Sequence, residues 1–283
     1  MGWFEDRAGL DGTVAVVTGG GGGLGEAIVR DLIANGVRVA TIDVDPDGIE
    51  RLHDIPDVIA VQGDARDADA LSRLFDLAGE RWDRLDTLVN VVGGTFRADF
   101  TDTNPKGWDA LLRTNLLHVL HACSLAVPRM RAGGRGGSIV NLTTIECHRA
   151  APGFAVYSAA KAAVEQFARS LAVEVAPDRI RVNNVAPDFT PTENMQRIAQ
   201  GAPLMSDEAV RVGIPMGRAG QVTDISNAVV FLASALSSYV TGTTIHPDGG
   251  TFASSGWFNW PEVGWRNNVP SNLVPHLPGS PDR

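Results

Sequence analysis

Two side chains with complementary chemistry, Tyr157 and Lys161, stand four residues apart in a segment, 154–176, that has helical periodicity. Residues at this spacing lie on the same face of a helix, so the lysine ammonium is within reach of the phenol. A positive charge beside a phenol favours the phenolate and lowers the tyrosine pKa from its ordinary value of about 10. The pair is a candidate general base, although an exposed tyrosine over a lysine stem would show the same spacing.

A glycine-rich turn near the start of the chain would bring a cofactor to such a base. Residues 14–17 predict a buried parallel strand, and residues 26–35 have helical spacing. The glycines between them allow close approach of a ligand, and the N–H groups at the helix start attract a pyrophosphate. The turn is typical of dinucleotide binding, although five consecutive glycines also fit a merely flexible turn. We expect cofactor contacts from Gly19, Gly22, Gly23 and Leu24.

Two acidic residues follow the next predicted strands and concern the adenosine end of that cofactor. Asp43 follows the apolar run 37–42, eighteen residues beyond Gly25, where a carboxylate would accept hydrogen bonds from both ribose hydroxyls and repel a 2′-phosphate. Because the turn carries Gly22 in place of a basic residue, NAD is favoured over NADP. Asp64 follows the strand 58–62 and is either a contact for the adenine amino group or the N-cap of the next helix.

Strand-like and helix-like patterns alternate along the rest of the chain. The alternation predicts an α/β fold: one domain with a doubly wound parallel sheet of the Rossmann type, about seven strands, and helices on both faces. Residues 1–252 would form this domain, with a loop at 188–218 covering the substrate. The aromatic- and proline-rich tail, 253–283, would pack on the body or on a neighbouring subunit, because exposed aromatics are costly in water.

Three side chains of the predicted helix 105–131 could have a functional role: those of Asn115, His118 and His121. Asn115 stands among leucines and is either a polar anchor of the core or a functional group. His118 and His121 are three residues apart, but neither cysteine nor a carboxylate completes a ligand set, so we expect no metal site.

Composition bounds the partners and the compartment. The 283 residues carry a formal net charge of −9 and have no basic run, which argues against nucleic acid as a partner. Two cysteines form no disulfide framework, and neither a leader pattern nor a long apolar run is evident. We expect a cytoplasmic protein without a membrane partner.

The ordered motifs resemble those of the short-chain dehydrogenase/reductase family over roughly residues 11–252. The turn from Thr18 to Gly25 is similar to the family's TGxxxGxG pattern, and the stretch from Asn90 to Gly93 stands where the family has NNAG. Tyr157 and Lys161 match YxxxK. The segment that binds the nicotinamide carboxamide is matched by Arg181, Val182, Asn183, Pro187 and Thr192.

This resemblance implies hydride transfer between NAD and a secondary alcohol or ketone. Tyr157 would be the acid/base, Lys161 would lower its pKa and hold the nicotinamide ribose, and Asn115 would serve a proton relay. Thr144 takes the place of the family's usual serine and would orient the substrate oxygen. A homotetramer is implied as well. Further cofactor contacts are expected from Asp64, Ala65, Asn90, Gly93, Pro187, Phe189 and Thr192.

Two other departures from the family pattern concern the cofactor. Asp188 replaces a glycine near the expected nicotinamide, and its carboxylate is hypothesised to favour the oxidised, positively charged ring. Val91 and Val92 replace an amide and a small residue, which removes one polar contact.

The substrate is expected to be apolar or cyclic, such as a hydroxysteroid or a terpene alcohol. Glu146 and His148 are candidates for polar recognition or are simply solvated. Alternative functions are a catalytically silent, NAD-responsive regulatory protein of the same fold, or a 3-ketoacyl thioester reductase. Candidate pocket walls are Phe96, Ile145, Phe154, Phe189 and Met195.

Overall fold

The computed structural model describes residues 2–198 and 204–270, and its main element is a parallel sheet of seven strands. In chain order these are β1 (Val14–Thr18), β2 (Arg38–Asp43), β3 (Val58–Gln62), β4 (Thr87–Asn90), β5 (Gly137–Leu142), β6 (Ile180–Val185) and β7 (Thr244–Ile245). Their spatial order is β3-β2-β1-β4-β5-β6-β7. The predicted fold, a single doubly wound domain with seven strands, is confirmed.

The strand order reverses between β1 and β4, which places a crevice at the carboxyl ends of these two strands. In register, Thr18 at the end of β1 lies opposite Ile42 of β2 on one side and Asn90 of β4 on the other. Every loop that leaves this end of the sheet therefore meets the same crevice.

Helices cover both faces of the sheet and bury two apolar cores. They are α1 (Trp3–Ala8), α2 (Gly23–Ala34), α3 (Pro46–His53), α4 (Ala68–Trp82), α5 (Pro105–Leu112), α6 (His118–Gly133), α7 (Ala155–Val175), α8 (Glu193–Ile198), α9 (Asp207–Gly213), α10 (Val222–Ala233) and α11 (Thr251–Ser254). One core lies under α2 and α10 and includes Ile28 and Val229. The other lies under α4, α6 and α7 and includes Phe75 and Val164.

The helix predicted over 105–131 is interrupted. It begins as α5, passes through a π-helical turn at Arg113–Leu117, and continues as α6. By length and composition this combined segment, Pro105–Gly133, is the one stretch within 2–198 and 204–270 that would suit a membrane span, which the sequence pattern did not suggest. Its α6 portion instead packs Ala122, Ala126 and Met130 into the core.

The start of the aromatic tail forms an antiparallel hairpin of β8 (Phe258–Trp260) and β9 (Gly264–Arg266). Strand β8 packs against α9, so this part of the tail contacts the body. Trp257 and Trp265 nevertheless stay 47% and 41% exposed. Residues 271–283 of the predicted tail lie outside the described residues.

Candidate functional site

The crevice at the sheet's carboxyl edge is a cavity of about 620 Å³. It brings together nine of the residues expected to bind the cofactor: Gly19, Gly22, Gly23, Leu24, Asp43, Asp64, Ala65, Gly93 and Thr192. Five other expected contacts do not line it: Asn90, Tyr157, Lys161, Pro187 and Phe189.

The glycine turn is held tightly and fits the close approach of a ligand. A Cβ at Gly25 would overlap the Gly19 carbonyl oxygen, and one at Gly21 would lie 2.8 Å from the Asp43 side chain. A Cβ at Gly23 would come within 3.2 Å of Thr192. The turn thus packs against its surroundings, which disfavours the merely flexible interpretation, and Gly22 precedes α2 as its N-cap.

Asp43 is oriented by the backbone around it. Its Oδ2 accepts a hydrogen bond from the Gly21 N–H at 2.9 Å, and its Oδ1 accepts one from Asp45 at 3.0 Å. A basic residue missed in the sequence also lies here, because Arg51 Nη2 donates to the Gly21 carbonyl at 2.9 Å and to Glu26 at 2.8 Å. Arg51 hydrogen bonding to Glu26 and their opposite charges hold the Glu26 pKa below its ordinary value despite partial burial.

Asp64 has a different partner from the two considered. Its carboxylate accepts hydrogen bonds from Nε and Nη2 of Arg66 at 2.9 and 2.6 Å. These hydrogen bonds are the main cause of the lowered pKa of Asp64. The N-cap of α4 is Asp67, which accepts from Asp69 and Ala70, so the capping alternative for Asp64 is wrong. An adenine amino group would have to share this carboxylate with Arg66.

The side chain of Asn90 is 1% exposed and points into an amide ladder across the sheet, so the expected cofactor contact would have to come from its backbone. Asn90 Nδ2 donates to Asn141 Oδ1 at 2.9 Å, and Asn141 Nδ2 donates to Asn184 Oδ1 at 3.1 Å. Asn184 in turn donates to Thr244 at 3.2 Å. The ladder links the four neighbouring strands β4, β5, β6 and β7, so these side chains have a structural role.

Lys161 is buried at the base of the crevice. Its Nζ donates to the Leu142 carbonyl at 2.9 Å, and burial lowers the Lys161 pKa to about 8. A Cβ at Gly93 would lie 3.0 Å from this Nζ and 3.3 Å from Asn115 Oδ1. Both side chains therefore reach the cofactor crevice at the same glycine.

The π turn explains how Asn115 is placed. The widened turn lets Asn115 Nδ2 donate to the Leu111 carbonyl at 3.0 Å within its own helix and to the Gly94 carbonyl at 2.8 Å across the crevice. Such turns are frequent at functional sites. His118, one residue after the turn, is a buried ring whose pKa is lowered to about 3, chiefly by desolvation.

Tyr157 and Thr144 face one another. The Thr144 hydroxyl hydrogen-bonds to the phenol, which lowers the Tyr157 pKa, but burial outweighs it and raises that pKa to about 12. The predicted lowering of the tyrosine pKa by Lys161 is therefore not found, because the lysine nitrogen is directed to Leu142 and is itself desolvated. Thr144 also caps the short 3-10 helix Ile145–Cys147, accepting from Glu146 at 3.3 Å.

A second cavity, of about 820 Å³, is lined by Glu146 and Phe154, which lie close to Thr144 and Tyr157 in the chain. Two of the five expected pocket walls, Phe154 and Phe189, line this cavity. The other three do not: Ile145 is fully buried, and Phe96 and Met195 are 46% and 39% exposed. Glu146 and His148 both line it, as do Phe252 and Phe258 from the C-terminal region.

Asp188 lies on the wall of this second cavity with a partner of its own. Arg149 Nη2 donates to Asp188 at 3.2 Å and to Glu146 at 2.8 Å. Burial raises the pKa of Asp188, opposed by Arg149 and by a hydrogen bond from Thr251. A carboxylate paired in this way has less charge to offer a nicotinamide ring, which weakens the hypothesis made for it.

Two further expected contacts serve the framework. The Pro187 carbonyl accepts a hydrogen bond from the Ile145 N–H at 3.1 Å, which fixes the catalytic loop to the end of β6. The Phe189 carbonyl accepts from Gly220 at 3.0 Å, while the Phe189 ring lines the second cavity.

Comparison with known proteins agrees with this architecture. A family model described as enoyl-(acyl carrier protein) reductase matches residues 19–251. The 3-oxoacyl-[acyl-carrier-protein] reductase FabG of Thermotoga maritima is 32% identical, over 85% of this chain and 98% of its own length. The NADP-dependent (R)-specific alcohol dehydrogenase of Lentilactobacillus kefiri is 33% identical, over 85% of this chain and 97% of its own.

Among solved structures, ElxO with NADP bound has a TM-score of 0.79 and 25% identity, covering 85% of this chain and 99% of that one. The matches span nearly the entire length of these proteins. The chain belongs to the short-chain dehydrogenase/reductase family of oxidoreductases, which act on alcohol and ketone groups with a nicotinamide cofactor.

Proposed function

We propose that the protein interconverts a secondary alcohol and a ketone with NAD as the cofactor, and that Asn115, Thr144, Tyr157 and Lys161 carry the reaction. The observation that supports this most strongly is the convergence of Lys161 Nζ and Asn115 Oδ1 on Gly93 of the cofactor crevice. The Thr144 hydroxyl meets the Tyr157 phenol beside it.

The residues suggest a division of labour. The nicotinamide, when bound, supplies the hydride acceptor or donor. Thr144 orients the substrate oxygen, and Tyr157 takes the hydroxyl proton during oxidation or returns it during reduction. The reaction needs the proton of Tyr157 to leave more easily than burial alone allows, and the interaction with the Thr144 side chain favours this. Lys161 is assigned to holding the nicotinamide ribose. Asn115 keeps the crevice backbone in place and serves the relay of that proton.

The preference for NAD rests on Asp43. Its carboxylate is fixed by Gly21 and Asp45 at the edge of the crevice, where it suits ribose hydroxyls and repels a 2′-phosphate. Arg51 and Arg66 are nearby cations that could favour such a phosphate, but each already pairs with a carboxylate, Glu26 and Asp64 respectively. The two similar proteins named above are NADP-linked, so the preference proposed for NAD rests on the residues of this chain.

We also propose a cytoplasmic homotetramer that acts on small molecules, without nucleic acid or membrane partners. The net charge of −9 supports the absence of nucleic acid, and the family resemblance supports the tetramer. Light scattering on the purified chain tests the assembly, and a monomer would contradict it.

A cofactor-and-substrate screen tests the proposed activity. The purified protein is mixed with NAD⁺ or NADP⁺ and a panel of secondary alcohols that includes hydroxysteroids, terpene alcohols and cyclic diols, and reduced cofactor is followed by its absorbance. We expect NADH from at least one alcohol and a lower rate with NADP⁺. A 3-ketoacyl thioester with NADPH is the second candidate, favoured by the relative FabG, and faster turnover of that pair would replace the first.

A further inference from the structure

His148 lines the second cavity, which we take as the substrate side of the proposed site, and the reaction described above does not use this residue. It follows the short helix Ile145–Cys147, whose other end is capped by Thr144. Its Nε2 lies 3.1 Å from Oε1 of Glu165, a carboxylate on α7 that is only 2% exposed. The same oxygen accepts a hydrogen bond from Thr143 at 3.0 Å.

The ring of His148 is fixed from several sides. The His246 ring stands edge-on to it with centroids 4.7 Å apart, and Phe252 packs at 5.0 Å. The short contact to a buried carboxylate assigns the ring proton to Nε2, since this nitrogen must donate. Nδ1 then carries a lone pair, and no residue within the described ranges donates a hydrogen bond to it. The His148 side chain keeps 18% of its surface exposed on the cavity wall.

The charges at this end of the cavity discriminate among ligand groups. Glu146 and Asp188 both pair with Arg149, and Glu165 adds a third carboxylate behind His148, which Arg169 approaches only to 3.5 Å. Arg97 also lines this cavity, so its wall carries two arginines, Arg97 and Arg149, and two carboxylates, Glu146 and Asp188. Both wall carboxylates are paired with Arg149, which leaves the neutral Nδ1 of His148 as an acceptor for an uncharged hydroxyl.

We propose that His148 is a specificity-determining residue that accepts a hydrogen bond from a second hydroxyl group of the substrate, so that the substrate class is a diol or polyol. This inference rests on the proposed function, because it concerns the same cavity. Thr144 and His148 flank the 3-10 helix Ile145–Cys147, and four residues of such a helix rise by about 8 Å. A substrate with hydroxyl groups on neighbouring carbons would span that separation. One hydroxyl would hydrogen-bond to Thr144 and Tyr157, and the other would donate to Nδ1 of His148.

The test compares a diol with the matching mono-alcohol. The parent and His148→Phe are assayed with NAD⁺ on cyclohexane-1,2-diol and on cyclohexanol, and on longer cyclic pairs of the same kind. Loss of one hydrogen bond to substrate is expected to lower kcat/KM for the diol about tenfold, mainly through KM, and to leave the mono-alcohol within about twofold. His148→Asn, which retains an acceptor oxygen, should recover part of the diol activity. His53→Phe, an exposed histidine at the end of α3, is the matched control.

The outcomes separate this inference from the activity on which it rests. If the parent turns over both alcohols equally, or if His148→Phe loses both to the same extent while its thermal unfolding is unchanged, the assignment of His148 is wrong but the alcohol dehydrogenase activity stands. If no alcohol of either kind is oxidised although NAD⁺ binds, the proposed function fails first. A hydroxy acid preferred over the diol would also overturn the inference.

Discussion

Asn115 and Gly94 hold one another across the cofactor crevice by two hydrogen bonds. Asn115 Nδ2 donates to the Gly94 carbonyl at 2.8 Å, and the Gly94 N–H donates to Asn115 Oδ1 at 3.2 Å. The asparagine is fully buried, and the π turn frees the Leu111 carbonyl to accept its second N–H. The amide is therefore an anchor of the loop after β4 as well as a candidate relay group.

Replacing this amide should separate the two roles. Asn115→Ala leaves polar atoms of Leu111 and Gly94 without partners, and we expect it to lower the free energy of unfolding by about 1–3 kcal/mol. We also expect kcat/KM to fall by at least about tenfold, because the crevice backbone and the relay are both lost. Denaturant unfolding and steady-state kinetics measure the two effects.

The control for that variant is Asn104→Ala. Asn104 caps α5 by accepting from Gly107 at 3.1 Å, so its loss should cost about 1 kcal/mol of stability. Its kcat/KM should stay within about twofold of the parent. If both variants lose activity only in proportion to stability, Asn115 is a structural anchor and nothing more.

The two neighbouring threonines should behave differently. The Thr143 hydroxyl is engaged by Glu165 and by the Val185 carbonyl, whereas that of Thr144 faces the Tyr157 phenol. We expect Thr144→Ala to lower kcat/KM about 100-fold and Thr144→Ser to retain most of it, since the hydroxyl is what the reaction needs. Thr143→Ala should reduce stability more than activity, and the reverse pattern would assign the substrate-orienting role to Thr143.

The buried lysine predicts a pH dependence of stability. The pKa of Lys161 is about 8 in the folded protein against 10.5 for an ordinary lysine, so the unfolded chain binds more protons between these values. The free energy of unfolding of the parent, relative to Lys161→Met, should therefore rise as the pH increases from about 8 to about 10, by at most about 3 kcal/mol.

The only other lysine of the chain supplies the control for that measurement. Lys106 is exposed at the start of α5, and Lys106→Met should leave the difference in unfolding free energy flat over the same pH range. A flat difference for Lys161→Met as well would mean that the lysine is not desolvated in the folded state.

Asp43 should set cofactor preference. We expect Asp43→Ser to lower kcat/KM for NAD⁺ by at least about tenfold and to narrow or reverse the preference over NADP⁺, because a ribose acceptor and a repelling charge are lost together. Asp45→Ser removes a nearby carboxylate that caps α3 and should leave the ratio unchanged. Equal cofactor ratios for the parent and Asp43→Ser would show that Arg51 or the backbone decides the choice.

Local patterns in the sequence were sufficient to predict the sheet and the outline of the site. Two motifs depend only on spacing within one segment: the turn from Gly19 to Gly25 and the pair Tyr157 and Lys161. The buried strands of a doubly wound sheet are recognised as runs of apolar residues. The short helices α1 and α3 and the hairpin of β8 and β9 were not predicted, since weak or brief patterns carry little periodicity.

The remaining features depend on partners distant in the chain. The side chain of Asn90 pairs with Asn141, and Asn141 with Asn184, in register across neighbouring strands, a match that spacing along one strand does not reveal. The burial that raises the Tyr157 pKa is likewise a tertiary effect. A signal for the ladder did exist, because asparagine recurs near the carboxyl ends of β4, β5 and β6.

The most direct test of the account is the oxidation of a substrate alcohol by NAD⁺ in the parent and in Tyr157→Phe, with NAD⁺ binding to both measured by calorimetry. The phenol is the proton acceptor in this account, so the variant should bind NAD⁺ within about threefold of the parent and lose at least about 100-fold in kcat. Retained turnover in Tyr157→Phe, with binding intact, would contradict the assignment of Tyr157 as the acid/base.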